Sequence, residues 1–600
     1  MSQSAEFSEE QKQYLEGFIA GVAQKLGIGV PRSSADFCRA AQGDGNPDQI
    51  SAIGIVDHHR AAQDRTVREG GKLSPEEQAK REKHPFDMWD EIAASAAASR
   101  FPKGLDVFRY KFHGLFHVAP TQNAFMLRLR FPGGIVMADK AAGIADIAER
   151  FGGGAIDITT RANLQIREIG AAYPIEVLTA LDELGLTSRG AGADNIRNVT
   201  GSPLAGIDPQ ELIDTRPLCR DLHHTILNHR ELYGLPRKFN IAFDGGGRIG
   251  VLDDTNDIGF AAIRVAPGQA VEEGVYFRMM LGGLTGHGSF AADAGVLLRP
   301  DETVAAATAI LRMFIATGDR TDRRKARLKY VIDRHGLAET VAMAAQYLPF
   351  PWRYAPVDMG EPRGPIGRDL HVGVHEQAQP GLSYIGILAP ASRLRAEQLR
   401  RLAGIAAHRG SGTLRLTVWQ NLLLSDVAAA EVPDAVAEIE ALGLVVAASP
   451  IRAGLVACTG NAGCRFALTD TKRDVLALTD YLEPRVSLDG PLNIHLTGCP
   501  NSCAQHYVGD IGLLATKVDM GGDDEVEGYH LLVGGGSGAE RVLARDIFQS
   551  IPADELPGRI ETVLRGYLAA RHAGETFNVF ANRHSVAELS AIFGLVPAEA

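Results

Sequence analysis

Gly154-Ala-Ile-Asp-Ile-Thr159-Thr-Arg161-Ala-Asn163-Leu-Gln165-Ile166 and Gly412-Thr-Leu-Arg-Leu-Thr417-Val-Trp419-Gln-Asn421-Leu-Leu-Leu424 carry one pattern twice. Each starts at a glycine, alternates apolar residues up to a threonine, turns, and restarts an apolar run at an asparagine. That is the pattern of two short strands joined by a tight turn. Around the first copy the periodicity predicts a strand over 125–131, with Arg128 and Arg130 on one face, and a helix over 140–151. The strands Ala155–Thr159 and Leu164–Arg167 and a helix over 174–184 complete it. Around the second it predicts a strand Ser383–Leu388 and a helix Arg395–His408. Strands Thr413–Thr417 and Leu422–Ser425 and a helix over 434–443 follow. Strand, helix, two strands, helix is a small α+β unit of ferredoxin-like type.

Two further matches are co-linear: Thr200-Gly201 with Thr459-Gly460, and Phe239-Asn240-Ile241 with Leu492-Asn493-Ile494. The three offsets are 258, 259 and 253 residues, which points to internal duplication. The fold class is therefore α+β, an internally duplicated, pseudo-twofold chain with two ferredoxin-like half-domains and two larger α+β domains. The expected layout is an N-terminal helical arm over 1–105, half-domains over 106–186 and 371–446, larger domains over 187–345 and 447–600, and a proline-rich linker over 346–370. Within the arm, Ser8-Glu9-Glu10-Gln11 reads as a capping box ahead of an amphipathic helix (Tyr14, Leu15, Phe18, Ile19, Val22, Leu26). Residues 28–52 read as a surface loop.

Six hundred residues exceed what one core supports. The chain is 45% hydrophobic and 22% charged, with a net charge of −12, which disfavours wholesale nucleic-acid binding. No apolar run approaches membrane-spanning length, and the first residues carry no signal-peptide pattern. The expectation is a cytoplasmic monomer, without nucleic-acid or membrane partners.

Of the six cysteines, Cys458, Cys464, Cys499 and Cys503 fall within 46 residues, spaced Cys-x5-Cys, 34 residues, then Cys-x3-Cys. Four converging thiolates suit a [4Fe-4S] cluster. Structural zinc is the plainer reading, although zinc pairs are usually more closely spaced. Cys38 and Cys219 read as inert thiols. Gly534-Gly-Gly-Ser-Gly538 reads either as a backbone nest or as a plain turn.

Cys-x5-Cys followed by Thr497-Gly-Cys499-Pro-Asn-Ser-Cys503 resembles the sirohaem-containing nitrite and sulfite reductases. The likeness runs from about Phe112 to about Gly594. It implies a [4Fe-4S] cluster on the four cysteines, bridged by Cys503 to a sirohaem. It implies that Arg161, Arg197, Lys238 and Asn240 face the substrate anion. Sirohaem carries many carboxylates, so Arg128, Arg130, Asn163, Gln165, Arg167, Arg237, Lys325 and Arg327 are its candidate partners.

Within that family, asparagine at 240 in place of a second lysine goes with ferredoxin-dependent nitrite reduction. Nitrite is a monoanion, and one cation fewer suits it better than sulfite. The implied activity is six-electron reduction of nitrite to ammonium, with reduced ferredoxin as donor. Ferredoxin-dependent sulfite reduction is the alternative. From another class, a non-catalytic iron–sulfur or zinc protein would show no tetrapyrrole absorption. The basic run from Arg320 to Lys329 is the expected docking patch for an acidic donor.

Overall fold

The computed structural model describes residues 57–521 and 524–594. All that follows concerns the unit that begins at His58. The capping box and helix after Ser8, the loop over 28–52 and Cys38 lie outside the described residues.

Each ferredoxin-like half is a five-stranded sheet with a helix against it, and four of the five strands in each are its own. In the first they run Leu115–His117, Phe125–Arg128, Asn163–Ile169 and Ala155–Thr159. In the second they run Gly373–Glu376, Leu382–Ile387, Leu422–Ala428 and Thr413–Leu416. The fifth strand is exchanged. Ile135–Met137 of the first half pairs antiparallel with 413–415, and Arg393–Arg395 of the second pairs with 155–157. Met137 faces Thr413 and Arg395 faces Ala155; Met137 and Arg395, and likewise Ala155 and Thr413, are 258 residues apart, as in the repeated stretch.

The crossing is tight. A Cβ on Gly134, at φ +74°, would lie 2.6 Å from the Leu416 carbonyl oxygen, so only glycine fits. The helices that follow the exchanged strands, Ala138–Phe151 and Ala396–Arg409, pack on each other. Ile144, Ile147, Leu399 and Leu402 join one core that spans both halves. Truncating a side chain such as Leu402 to alanine costs about 2–5 kcal/mol and loosens both sheets at once.

The larger sheets are also a pair. One runs Thr200–Gly201, Ile241–Asp244, Ile258–Val265, Gly274–Leu281 and Ala292–Leu298. The other runs Leu455–Ala457, Ile494–Thr497, Ile511–Asp519, Glu525–Val533 and Arg545–Pro552. In both, the first three strands are parallel and the rest antiparallel. Parallel neighbours need long crossovers, and the helices Arg216–Asn228 and Thr471–Leu482 fall in them. Leu252 and Gln505, 253 residues apart, are both left-handed, with φ of 56° and 55°.

The strand expected over 125–131 ends at Arg128. Beyond it the Phe131 N–H donates to Asn198 Oδ1 (2.8 Å), and the chain leaves the ladder. Arg128 and Arg130 make different contacts: the Arg128 guanidinium lies over Phe116, and Arg130 donates to the carbonyls of Ile196 and Arg197. The proline-rich stretch holds a two-residue edge strand, Arg353–Tyr354, on the first large sheet. Arg363 pairs with Asp244 (2.9 Å) and Arg368 with Asp510 (2.6 Å), so this stretch is fastened to both large sheets.

Candidate functional site

Cys458 follows the strand Leu455–Ala457, and Cys499 follows its parallel neighbour Ile494–Thr497. Both loops leave the carboxyl ends of adjacent parallel strands, where α/β-type sheets commonly hold ligands. The Cys458 N–H donates to the Leu496 carbonyl (3.0 Å), and the Gly498 N–H points at Cys458 Sγ (3.1 Å). A Cβ on Gly498 would meet Ala467 Cβ at 2.6 Å and Cys458 Sγ at 3.4 Å, so this position must stay bare. Asn501 Nδ2 lies 3.5 Å from Cys499 Sγ. Burial pushes the Cys499 thiol up to about 11, with Cys503, Cys464 and Cys458 adding repulsion.

All five described cysteines are free thiols. Among the described residues no three His, Cys, Asp or Glu side chains close on a single metal-sized point. A tetrahedral zinc site with 2.3 Å bonds needs its sulfurs about 3.8 Å apart. The four thiols instead line one wall of a cavity of about 360 Å³.

The rest of the lining is cationic, and six of its eight cations come from the first half. Lys111, Arg128, Arg161, Arg167, Arg197, Lys238, Arg465 and Lys472 line the cavity, against one carboxylate, Asp157. Asp157 is engaged by Arg167 (2.8 Å), Arg393 (2.7 Å) and Lys472 (3.7 Å). Burial opposes its ionisation, but these cations hold the carboxyl well below its usual range. The remaining six cavity cations make no ion pair among the described residues.

Burial, then repulsion from Arg327, Arg161 and Arg197, pulls the Lys238 ammonium well below the ordinary lysine range. Arg197 is likewise lowered by burial and by Arg128, Arg161 and Arg237. Arg161 and Arg128 fall to about 10, burial again leading. Cys503 opposes the shift at Lys238, Arg161 and Arg128, so a thiolate there faces all three cations. Like charges gathered without counter-ions are costly unless an anion joins them, and such strongly shifted groups mark functional sites.

Contacts across the cavity tie the halves together. The Arg167 guanidinium reaches Gln165 Oε1 (2.8 Å), Thr459 Oγ1 and the Gly463 carbonyl (3.4 Å), bracketing the loop between Cys458 and Cys464. Thr160 Oγ1 donates to the Cys503 carbonyl (3.0 Å). Arg128 stacks over Phe116, 4.5 Å from the ring centre.

Of the residues named from sequence, Arg161, Arg197, Lys238, Arg128, Asn163, Gln165, Arg167 and all four cysteines line this cavity. Five others do not. Arg130 is buried and donates to the carbonyls of Ile196 (2.8 Å) and Arg197 (3.3 Å), which fixes the loop carrying Arg197. Arg327 is buried against Asp257 (2.7 Å). Arg237 faces Asp194 at 3.7 Å, and Lys325 is exposed. Asn240 is buried, its N–H donates to Asp257 Oδ2 (2.8 Å), and its Oδ1 has no partner among the described residues.

The basic run is mostly ion-paired, with Arg324 and Lys325 exposed. Arg320 pairs with Glu77, Arg323 with Asp194 and Glu76, Arg324 with Asp322, and Lys329 with Asp333. The glycines after Gly534 abut neighbouring chain rather than the cavity: a Cβ on Gly535 would meet the Gly509 carbonyl at 2.4 Å. Three cavity cations, Lys111, Arg465 and Lys472, went unread in the sequence. Only Arg465, next to Cys464, carried a usable signal.

The residues fit an iron–sulfur cluster and a polyanionic macrocycle. Four thiols face one space and six unpaired cations surround it. Among the described residues, the buried Thr497 Oγ1 and Asn163 Oδ1 lack partners there. Among the described residues, no helix is long and apolar enough to cross a membrane.

The family profile described as the nitrite and sulphite reductase 4Fe-4S domain matches residues 192–351 and 451–593. The profile of the nitrite/sulfite reductase ferredoxin-like half domain matches 117–184 and 375–442. The ferredoxin–nitrite reductase of Synechococcus elongatus is 35% identical over 82% of this chain and 96% of its own length. That of Leptolyngbya laminosa is 38% identical over 77% and 90%. The assimilatory ferredoxin-dependent nitrite reductase of Haloferax mediterranei is 33% identical over 78% and 84%. Among solved structures, NirA of Mycobacterium tuberculosis superposes with a TM-score of 0.78 at 28% identity, covering 86% of this chain and 97% of NirA.

Proposed function

The chain belongs to the nitrite and sulphite reductase family, and from that premise we propose that it is a ferredoxin-dependent assimilatory nitrite reductase. Its reaction is the six-electron reduction of nitrite to ammonium. The observation that carries this reading is the cavity itself: four cysteines and unpaired cations that call for anions line one space.

Cys458, Cys464, Cys499 and Cys503 would hold a [4Fe-4S] cluster, and Cys503 is the most exposed of them. Arg128, Arg167, Lys111 and Arg465, with Gln165 and Asn163, would hold the carboxylates of a sirohaem through charge-assisted hydrogen bonds. When bound, the two cofactors supply the redox chemistry and the metal centre at which nitrite is reduced.

The chain's own part is to bind, orient and protonate. Arg161 and Arg197 offset the desolvation of the anion and stabilise charge that grows on oxygen as N–O bonds break. Burial and the neighbouring guanidiniums lower the Lys238 pKa, so its Nζ gives up a proton more readily than an ordinary lysine or the guanidiniums do. Arg130 and Asn198 hold the loops of Arg197 and Arg161 from behind: Asn198 Nδ2 lies 3.0 Å from the Arg161 carbonyl. Asn240, buried against Asp257 two residues after the cavity residue Lys238, adds no second cation beside the anion, which favours nitrite over sulfite. Electrons arrive singly from reduced ferredoxin.

The test is an absorption spectrum together with reduced-viologen assays on both anions. A Soret band with a red-shifted α-band, and nitrite turnover above sulfite turnover, are expected. Absence of a tetrapyrrole would end this reading, and sulfite turnover above nitrite would replace it with the sulfite reductase.

A further inference from the structure

Resting on that functional reading, we propose that Lys80, on the helix Pro75–Glu82, is a positioning residue for the two loops that present Arg197 and Lys238 to the anion. In sequence this helix carried no sign of function. In the structure the Lys80 side chain is 6% exposed. A lysine buried so deeply must be paired, and its ammonium has three donors to place. Its acceptors are Glu77 Oε1 on its own helix, the Leu235 carbonyl (2.9 Å), the Gly234 carbonyl (3.2 Å) and Asp194 Oδ2 (3.4 Å).

Three of those four acceptors belong to the substrate loops. Gly234 and Leu235 lead directly into Arg237 and Lys238, and Asp194 directly precedes Asn195–Arg197. The loops are also zipped to each other. The Arg197 N–H donates to the Phe239 carbonyl (2.8 Å), the Phe239 N–H to the Asn195 carbonyl (3.1 Å), and the Gly234 N–H to Asn195 Oδ1 (3.0 Å). Asp194 is fully buried and takes both guanidinium nitrogens of Arg323 at 2.8 Å.

A clamp is needed here because the groups it holds repel one another. Arg197 and Lys238 repel one another in a low-dielectric site, and the tie from Lys80 adds to the direct hydrogen bonds between their loops. Lys80 grips the base of both loops from outside the cavity, where it touches neither substrate nor cofactor. A lysine that merely glued the arm to the body would not need to spend its donors on these carbonyls.

The experiment uses the full-length holoenzyme with Lys80→Met and Lys80→Arg. Haem and iron content and melting temperature are recorded. Optical titration of the oxidised enzyme with nitrite gives a Kd independent of turnover, and viologen assays give KM and kcat. For Lys80→Met, Kd and KM should rise about tenfold while kcat changes less than about threefold, with the Soret band unmoved. Lys80→Arg keeps the charge, but its planar fork cannot meet all four acceptors, so about a threefold rise is expected.

Unchanged Kd and KM per haem in both variants, whatever happens to the melting temperature, would overturn the proposal. If Lys80→Met does not accumulate as holoenzyme, Lys80→Arg alone decides: raised Kd and KM uphold the clamp, and unchanged values remove it. A wild-type enzyme that turns over neither nitrite nor sulfite defeats the functional reading, and the nitrite titration still judges Lys80.

Discussion

The two halves share a fold and use it in opposite ways. In the first, the turn after Thr159 delivers Arg161, and the strand beyond carries Asn163, Gln165 and Arg167 into an open cavity. In the second, the matching turn delivers Trp419, and the strand beyond carries Asn421, Leu423 and Ser425. Trp419 stacks on His371, with ring centres 5.8 Å apart, and lies edge-on to His495 at 6.2 Å. Tyr384, Leu423, Ile207 and Ile249 fill the space around it. Asp157 has Arg415 as its counterpart, and Arg415 spends its donors on the carbonyls of Pro203 and Ala205 and on Ser425 Oγ. Where the second half has Cys458, the first has the buried Val199. Duplication supplied two copies of a scaffold. One copy kept a hollow with excess charge, the other packed its hollow with rings, and the thiols went to the partner of the hollow one.

That contrast can be broken most severely at the thiols. Cys503→Ser should abolish the coupled haem spectrum and lower nitrite turnover on the order of 10³-fold or more. Cys219→Ser, in the first half, should leave iron content and spectrum unchanged, because Cys219 is sealed inside the helix packing and burial pushes its thiol up. Equal loss in both variants would erase the division of labour.

Next come the cations. Lys238→Met should cost about 10²–10³-fold in kcat/KM with the spectrum retained. At the matching turn of the other half, Trp419→Arg should gain no activity and should destabilise the chain by about 3–5 kcal/mol in denaturant titrations, since it strands a charge in an aromatic core.

The pH dependence sharpens the same point. The Lys238 pKa lies below its ordinary value of about 10.4. The protonated form binds the anion, so kcat/KM should fall as pH rises through that lowered pKa, about tenfold per pH unit. Nothing is lost on the acid side through this group. Lys238→Arg should move the alkaline limb to higher pH, and an unmoved limb would assign it elsewhere.

The smallest effect is expected at the paired asparagines. Asn240 and Asn493 each donate an N–H to a buried aspartate, Asp257 and Asp510, and each leaves an Oδ1 unpartnered among the described residues. Asn240→Lys should raise the sulfite-to-nitrite turnover ratio about threefold, the extra cation suiting the dianion. Asn493→Lys should not move it. A ratio unmoved in both would leave Asn240 as a fold residue alone.

Much of this was legible in the chain. The repeated stretch fixed both half-domains because alternation and helical spacing are local signals, and the helices over 140–151 and 395–408 lie within a few residues of those observed. The cysteine loops were legible because glycine, proline and thiol spacing is local too. The exchanged strands were not: three residues such as Arg393–Arg395 carry no periodicity, and their partners lie over two hundred residues away. Arg130, Arg327 and Arg237 read as cavity cations because a sequence shows charge but not counter-charge. Their partners, the carbonyls of Ile196 and Arg197 and the carboxylates Asp257 and Asp194, are distant along the chain. Lys80 was silent for the same reason.

The lending of Ile135–Met137 and Arg393–Arg395 has a historical corollary. A lone ancestral unit would have left one margin of its sheet bare, an invitation to promiscuous pairing. In the fused chain each half reaches five strands only through a strand lent by the other. Fusion then freed the two copies to stop being identical, which a homodimer cannot do.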